Sequence, residues 1–176
     1  MRSRPTRLVG ARLNANVSAT KGNAMPEKMK STILIGYMLM VIFSKSAYAT
    51  SSSEYAAMGK AAWSAFECSV LAEKSKNQKE QERLFKYGYD QGLKFIEAIQ
   101  ENKVKRDDLS KESPLMMLLL LQGPTPDFML GRVFEGALDS ALKDVYKTGE
   151  QFNSDEMQET IAKNKFWKQN CQLIGK

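Results

Sequence analysis

Residues 54 to 74 read EYAAMGKAAWSAFECSVLAEK. Placed on a helix at about 100° per residue, apolar side chains cover most of the circumference and leave a narrow polar stripe of Lys60, Ser64 and Glu67. A helix that is apolar on nearly all sides is typical of the centre of a domain. We therefore expect this segment to be a central helix with other helices packed around it.

The rest of the region from residue 50 to 176 repeats helical periodicity with start and stop residues and has almost no strand signal. Further helices are predicted over about residues 79 to 101, 125 to 147 and 154 to 165, the last one with Asn153 and Glu156 as a capping pair. The pattern predicts an all-α fold: a compact bundle of four to five helices in a single domain, residues 50 to 176.

The segment before this domain reads as a signal peptide. Lys28 and Lys30 precede an apolar stretch from residue 33 to 43, and Ala47-Tyr48-Ala49 follows. Eleven apolar residues are too few to span a bilayer, which takes about 20. We predict a leader over residues 25 to 49, cleavage after Ala49, and a periplasmic or secreted product without a stable membrane span. The alternative to a cleaved leader is an uncleaved anchor, because Lys45 lies close to the predicted cut. Residues 1 to 24 read as mis-assigned upstream sequence or an extended leader.

The net charge of +6 belongs to the segment predicted to be removed. Residues 1 to 49 hold eight Lys or Arg and one Glu, which gives +7, whereas residues 50 to 176 hold 18 basic and 19 acidic side chains, which gives −1. A near-neutral domain offers no stripe of positive charge for phosphates, so nucleic acid is excluded as a favoured partner.

Cys68 and Cys171 are the only cysteines. In an exported protein, two thiols most simply form one disulfide. A free thiol pair for metal or redox chemistry is the lesser alternative, because the spacing is far from Cys-x-x-Cys and the chain has no histidine to complete a site.

Two glycines fall in the middle of the apolar face of the second helix, at Gly88 and Gly92. Each costs about 1 kcal/mol of helix propensity relative to alanine, so a compensating contact is expected. Close packing against the small residues Ala61, Ala65 and Ala72 of the first helix is the favoured interpretation, and a ligand groove over the glycines is the alternative.

Residues 115 to 121 form an unbroken apolar run, LMMLLLL, behind a predicted helix start at Ser113-Pro114. The run is too short to span a membrane and too apolar for a wet surface. We expect it to be buried in the domain. The alternative is a stored binding surface that opens toward a client protein or a lipid.

The helix over residues 125 to 147 carries a mixed-charge row opposite its apolar stripe. Two aromatic side chains, Phe128 and Tyr146, fall on that polar side together with Arg132 and Glu135. Because exposed aromatic and arginine side chains often anchor protein interfaces, these four residues are the candidate partner-binding residues.

The sequence offers no catalytic, cofactor-binding or metal-binding set. Absence of histidine removes the commonest general base and any His-containing triad, and no Gly-rich phosphate loop occurs. The pair Glu112-Ser113 resembles the catalytic signature of lytic transglycosylases, but Pro114 follows at once and the Gly-Leu-Met-Gln element of that family is missing. A peptidoglycan-cleaving enzyme is therefore only a remote alternative.

Several stretches resemble a group of small exported all-helical proteins of enteric bacteria and their mobile elements. They are WSAFEC at 63 to 68, QERLF at 81 to 85 with Gly88-Tyr89, PDFMLGR at 126 to 132, and Asn170-Cys171. The resemblance implies no activity. A second, fainter likeness, through Gly88-Tyr89-Asp90-Gln91-Gly92, is to the periplasmic immunity proteins that neutralise peptidoglycan-targeting toxins of type VI secretion, although the further cysteine usual near that helix is missing here.

These observations together favour an exported, non-enzymatic helical protein that acts by binding another protein, as an inhibitor or immunity factor does, without a cofactor. The alternative from another class is a periplasmic stress chaperone that exposes residues 115 to 121 when its carboxylates are protonated in acid.

Overall fold

A computed structural model describes residues 49 to 176. This part of the chain folds into six α-helices: α1 (Ser52–Lys74), α2 (Gln78–Gln100), α3 (Arg106–Glu112), α4 (Leu115–Leu120), α5 (Pro126–Tyr146) and α6 (Asp155–Lys168). A two-residue antiparallel ladder pairs β1 (Lys147–Thr148) with β2 (Gln151–Phe152), and a 3-10 turn spans Cys171–Leu173. The predicted all-α class is confirmed. The predictions for residues 1 to 24 and for the leader before Ala49 lie outside the described residues.

The long helices begin at side-chain caps that the sequence supplies. Ser51 Oγ accepts a hydrogen bond from the Glu54 N–H at 3.2 Å, and the Glu54 carboxylate accepts one from the Ser51 N–H at 2.6 Å, which completes a capping box for α1. Asn77 caps α2, and Thr125 caps α5 in front of Pro126. These contacts satisfy N–H groups that have no partner within the helix.

The start of α6 differs by one residue from the predicted capping pair. Ser154, not Asn153, is the N-cap, and its hydroxyl accepts a hydrogen bond from the Met157 N–H at 3.4 Å. Asn153 instead donates its amide N–H to the Val145 carbonyl at 2.8 Å. Its side chain therefore holds the β1–β2 turn against the end of α5.

The central helix is α1, as its all-round apolar pattern predicts. It packs against α2, α3, α5 and α6, and eleven of its 23 residues are buried. Two core clusters lie along it. One surrounds Phe66 and Phe95, and the other surrounds Leu71 and the sulfur atoms. Burying a side chain of this size stabilises the fold by about 1.5 to 3 kcal/mol.

The predicted disulfide joins Cys68 on α1 to Cys171 in the C-terminal turn, with their Cα atoms 5.5 Å apart. Arg83 on α2 supports the same tail, because its guanidinium donates to the Ile174 carbonyl at 2.5 Å and pairs with Glu80 at 2.7 Å. Phe166 is buried beside this tail, whereas its neighbour Trp167 is 56% exposed.

Gly88 and Gly92 lie at close contacts of α2 with its neighbours. A β-carbon at Gly88 would stand 2.9 Å from the Phe66 ring and 3.2 Å from the Ala65 β-carbon. A β-carbon at Gly92 would overlap the side chain of Leu130 on α5. Side chains of α1 and α5 therefore occupy the space over both glycines.

The segment between α2 and α5 departs most from the sequence-based expectation. The sequence pattern does not predict α3, in which Asp108 accepts a hydrogen bond from the Ser52 hydroxyl at 2.5 Å. The helix after it begins one residue later than predicted, with Pro114 as its N-cap. Ser113 does not cap α4, because its buried hydroxyl donates to the Ala56 carbonyl at 3.0 Å.

The predicted burial of residues 115 to 121 is wrong for most of the run. Only Met117 in α4 is fully buried, whereas Leu115, Met116 and Leu119 are 69%, 55% and 52% exposed. The core covers α4 from one side only, so a helix that is apolar all round leaves its opposite face in water.

Candidate functional site

Three large apolar side chains of one helix are exposed on the outward face of α4. This face consists of Leu115, Met116 and Leu119, and we call it the α4 face. Exposing such large apolar side chains side by side costs hydrophobic free energy, and contiguous exposed apolar surface often marks an interaction site. The α4 face is therefore the first element of a candidate binding site.

Three contacts hold α4 in place beneath this face. Met117 points into the core formed by α1, α2 and α5. Leu120 packs over Gly136 on α5, and the Ser113 hydroxyl ties the start of α4 to the Ala56 carbonyl. The face is thus presented by an anchored element.

A groove of about 490 Å³ runs between α4 and α5, beside the α4 face. Its size lies within the range of ligand pockets, about 300 to 1,000 Å³. We call it the α4–α5 groove, and it is lined by Trp63, Met116, Leu120, Arg132, Glu135, Gly136, Asp139, Ser140 and Lys143. A second groove, of about 380 Å³, lies on the α3 side of α4 and includes Leu115 and Leu118.

The floor of the α4–α5 groove is apolar and depends on one glycine. A β-carbon at Gly136 would overlap the end of the Leu120 side chain and stand 3.5 Å from the Trp63 ring. Because Gly136 has no side chain, Leu120 lies against the backbone of α5 and the indole of Trp63 forms the base of the groove. Trp63 is 8% exposed, so a small part of its ring meets solvent there.

The wall formed by α5 is charged, in the order Arg132, Glu135, Asp139 and Lys143. Successive members are three or four residues apart, so they lie along one side of the helix. Arg132 donates to the Gln122 carbonyl at 2.8 Å. Within residues 49 to 176, none of the four charges forms an ion pair with another side chain.

A polar contact joins α1 to a groove-lining residue of α5. The Ser140 hydroxyl donates to Glu67 Oε1 at 2.7 Å. Glu67 belongs to the narrow polar stripe that the sequence places on α1. At Glu67 this stripe therefore contacts α5, through a serine that lines the groove.

Of the four candidate partner-binding residues, Arg132 and Glu135 line the groove, whereas Phe128 and Tyr146 lie at the two ends of α5 outside it. Phe128 is 52% exposed and its ring lies next to Gly123. Tyr146 is 37% exposed, with the Lys74 ammonium 4.6 Å from its ring centre. The structure thus brings two of the four together with the α4 face.

Sequence reasoning did not identify the apolar half of the site. Trp63 looks like an ordinary core residue of α1, and Gly136 looks like an isolated glycine in a helix. One signal was available, the seven-residue apolar run at residues 115 to 121: a short helix that is apolar on all sides leaves apolar side chains in water if the domain covers only one of its faces. Asp139 and Lys143 belong to the mixed-charge row but were not singled out.

The other residues considered for chemistry lie apart from this site. Glu112 is the last residue of α3, and both cysteines are used in the disulfide. Residues 49 to 176 contain no group of three or more Cys, Asp or Glu side chains arranged to hold a metal ion. Within the same residues, no helix has both the length and the apolar character needed to cross a bilayer.

Comparison of the chain with protein-family models, with curated proteins and with solved structures finds no significant match.

Proposed function

We propose that this chain is an exported, non-enzymatic protein that acts by binding another protein, as an inhibitor or immunity factor does. One observation carries the proposal: the α4 face is held in water, at 52% to 69% exposure, beside a groove with an apolar floor and a charged wall. Protein interfaces combine an apolar centre with a polar rim in this way.

The disulfide supports the exported part of the proposal. Cys68 and Cys171 are both buried and joined, which is compatible with an oxidising compartment such as the periplasm. The leader predicted from the sequence agrees with that compartment.

The charge pattern supports a protein as the partner. The groove wall places two acids between two bases, and the domain as a whole is near neutral. A nucleic acid would require a surface of one positive sign. Mixed charges around apolar side chains suit another protein surface.

Two matched methionine variants test the proposal. Met116 in the α4 face is 55% exposed and Met157 on α6 is 52% exposed. Affinity-tagged protein with its disulfide formed is used to capture binding proteins from periplasmic extract. We expect the Met116→Glu variant to lose a stoichiometric partner that wild type and Met157→Glu both retain, because a carboxylate in an apolar contact is costly to desolvate.

Equal capture by the two variants, or no stoichiometric partner with wild type, contradicts the proposal. The same preparations are assayed on peptidoglycan, where a non-enzymatic protein gives no turnover. Circular dichroism of both variants checks that the helices are intact.

The α4 face also supports a second candidate, a stress chaperone. Exposed leucine and methionine side chains on a rigid helix suit transient contact with unfolded clients. A holdase suppresses aggregation of several unrelated clients, and its surface hydrophobicity rises in acid as carboxylates are protonated. Constant binding of a hydrophobic dye between pH 7 and pH 2 eliminates this candidate, whereas a specific inhibitor protects one target only.

A further inference from the structure

The charged wall of the α4–α5 groove indicates which charges a binding partner must carry. Along α5, from Arg132 to Lys143, the order of charge is positive, negative, negative, positive. At a rise of about 1.5 Å per residue this wall is about 16 Å long, or three helical turns. Because no described side chain pairs with the two central acids, Glu135 and Asp139, their charge is available to a partner.

The backbone of the groove indicates the conformation of its occupant. The α5 wall is helical, so its N–H and C=O groups are already paired within the helix. An extended peptide lying there would find no backbone hydrogen-bond partners on α5, so it would lack the main-chain pairing by which extended peptides bind sheet edges. A helical segment satisfies its own backbone and presents side chains only.

We infer that the α4–α5 groove binds a helical segment of the partner protein, about three turns long, with an apolar stripe on Trp63 and Leu120 and with basic side chains at its middle. This inference rests on the proposed function and adds the chemistry of the partner surface. The central bases face Glu135 and Asp139, and acidic residues toward the ends of the segment face Arg132 and Lys143. Since the order of charge is the same in both directions, it sets the register of the segment and not its polarity.

Trp63 provides a direct reporter. The chain has two tryptophans, so in a Trp167→Phe background the emission comes from Trp63 alone. Two amphipathic peptides of about 18 residues serve as probes, with the same leucine stripe. One carries lysines at the middle and glutamates at the ends, and the other has these charges exchanged.

We expect the lysine-centred peptide to shift Trp63 emission and to bind at least about tenfold more tightly than its charge-exchanged partner. In the double variant Glu135→Lys with Asp139→Lys, the preference should reverse. The matched control changes two exposed acids of α2 that do not line the groove, Glu82→Lys with Asp90→Lys, and should keep the wild-type preference.

Equal affinity for the two peptides, no Trp63 response to either, or a preference unchanged by the double variant overturns the inference. A failure here is distinguishable from failure of the proposed function. If Met116→Glu abolishes partner capture while the peptides show no charge preference, the chain binds a protein through the α4 face but not a helix of this charge pattern.

Discussion

Leu120 on α4 packs over the backbone of Gly136 on α5, in space that a β-carbon at residue 136 would occupy. This contact joins a short apolar helix to a long amphipathic one and sets the depth of the groove between them. It also explains why a glycine in the middle of α5 is compatible with a stable helix, although glycine costs about 1 kcal/mol there relative to alanine.

Replacing Gly136 with alanine tests how much the packing of Leu120 contributes to stability relative to the helix propensity of residue 136. In Gly136→Ala, the gain in helix propensity is offset because the end of the Leu120 side chain must move away from α5, at a cost of about 1 kcal/mol. We expect a free energy of unfolding at or below that of wild type, measured by urea denaturation. Gly131→Ala is the control on the same helix, because no atom lies within 4 Å of a β-carbon there, and it should be more stable than wild type by about 0.5 to 1 kcal/mol. Equal stability of the two variants would show that the packing of Leu120 against α5 does not require a glycine at residue 136.

The contact between α1 and α2 should be less tolerant. A β-carbon at Gly88 meets the ring of Phe66, which is 1% exposed and has little room to move. We expect Gly88→Ala to lower the free energy of unfolding by about 1 to 3 kcal/mol, measured by urea denaturation. An alanine tolerated without loss would indicate that the two helices are not in close contact at this point.

Truncating the two neighbouring methionines of α4 should lower the free energy of unfolding by very different amounts. Met117 is fully buried, and Met117→Ala should lower the free energy of unfolding by about 2 to 5 kcal/mol through the cavity it leaves. Met116 is 55% exposed, and Met116→Ala should change stability by less than about 0.5 kcal/mol. Thermal unfolding of both variants measures the difference, and similar losses would mean that the α4 face is covered in solution.

The disulfide should contribute a large share of the stability. It closes a loop across 103 residues of separation, for which chain entropy gives about 4 to 5 kcal/mol. We expect the double variant Cys68→Ala with Cys171→Ala to lose about 2 to 5 kcal/mol in urea, and reduction of wild type to give a similar loss. Insensitivity of wild-type unfolding to reductant would contradict this role.

Glu80 should make stability depend on acid pH. Its hydrogen bond with Arg83 holds the pKa of Glu80 below the ordinary value of 4.5. A lowered pKa means that the stabilisation is complete above about pH 4.5 and is lost as the pH falls through the folded-state value. We expect Glu80→Gln to be less stable than wild type by about 1 kcal/mol at pH 7, because the pair is only partly exposed, and the difference to disappear in strong acid.

Urea denaturation at a series of pH values measures this difference. The control is Glu82→Gln on the same helix, whose exposed carboxylate accepts a hydrogen bond from the Gln78 amide. A stability difference for Glu80→Gln that stays constant from pH 7 into strong acid would mean that the carboxylate does not act through its charge.

The all-α class follows from the sequence because it depends on periodicity and on local caps. The apolar pattern of α1 identifies the central helix, Thr125-Pro126 marks the start of α5, and two cysteines in a short domain leave one pairing. The helix patterns and caps depend on residues within one or two turns of each other. The disulfide pairing has only one possibility, because the chain has two cysteines.

The role of Ser113 and the exposure of residues 115 to 121 could not be predicted, because contacts between residues distant in sequence determine them. Ser113 has the side chain of a helix cap, yet its hydroxyl donates to Ala56, 57 positions earlier, because α1 passes beside it. The run 115 to 121 is apolar at every position, so the sequence does not show which of its side chains face the core. That choice is made by the packing of Met117 and Leu120 against α1 and α5. By itself the sequence determined the four long helices, α1, α2, α5 and α6, and which sulfur atoms pair. The tertiary structure decided which apolar side chains the core had room to bury, and therefore where the binding surface lies.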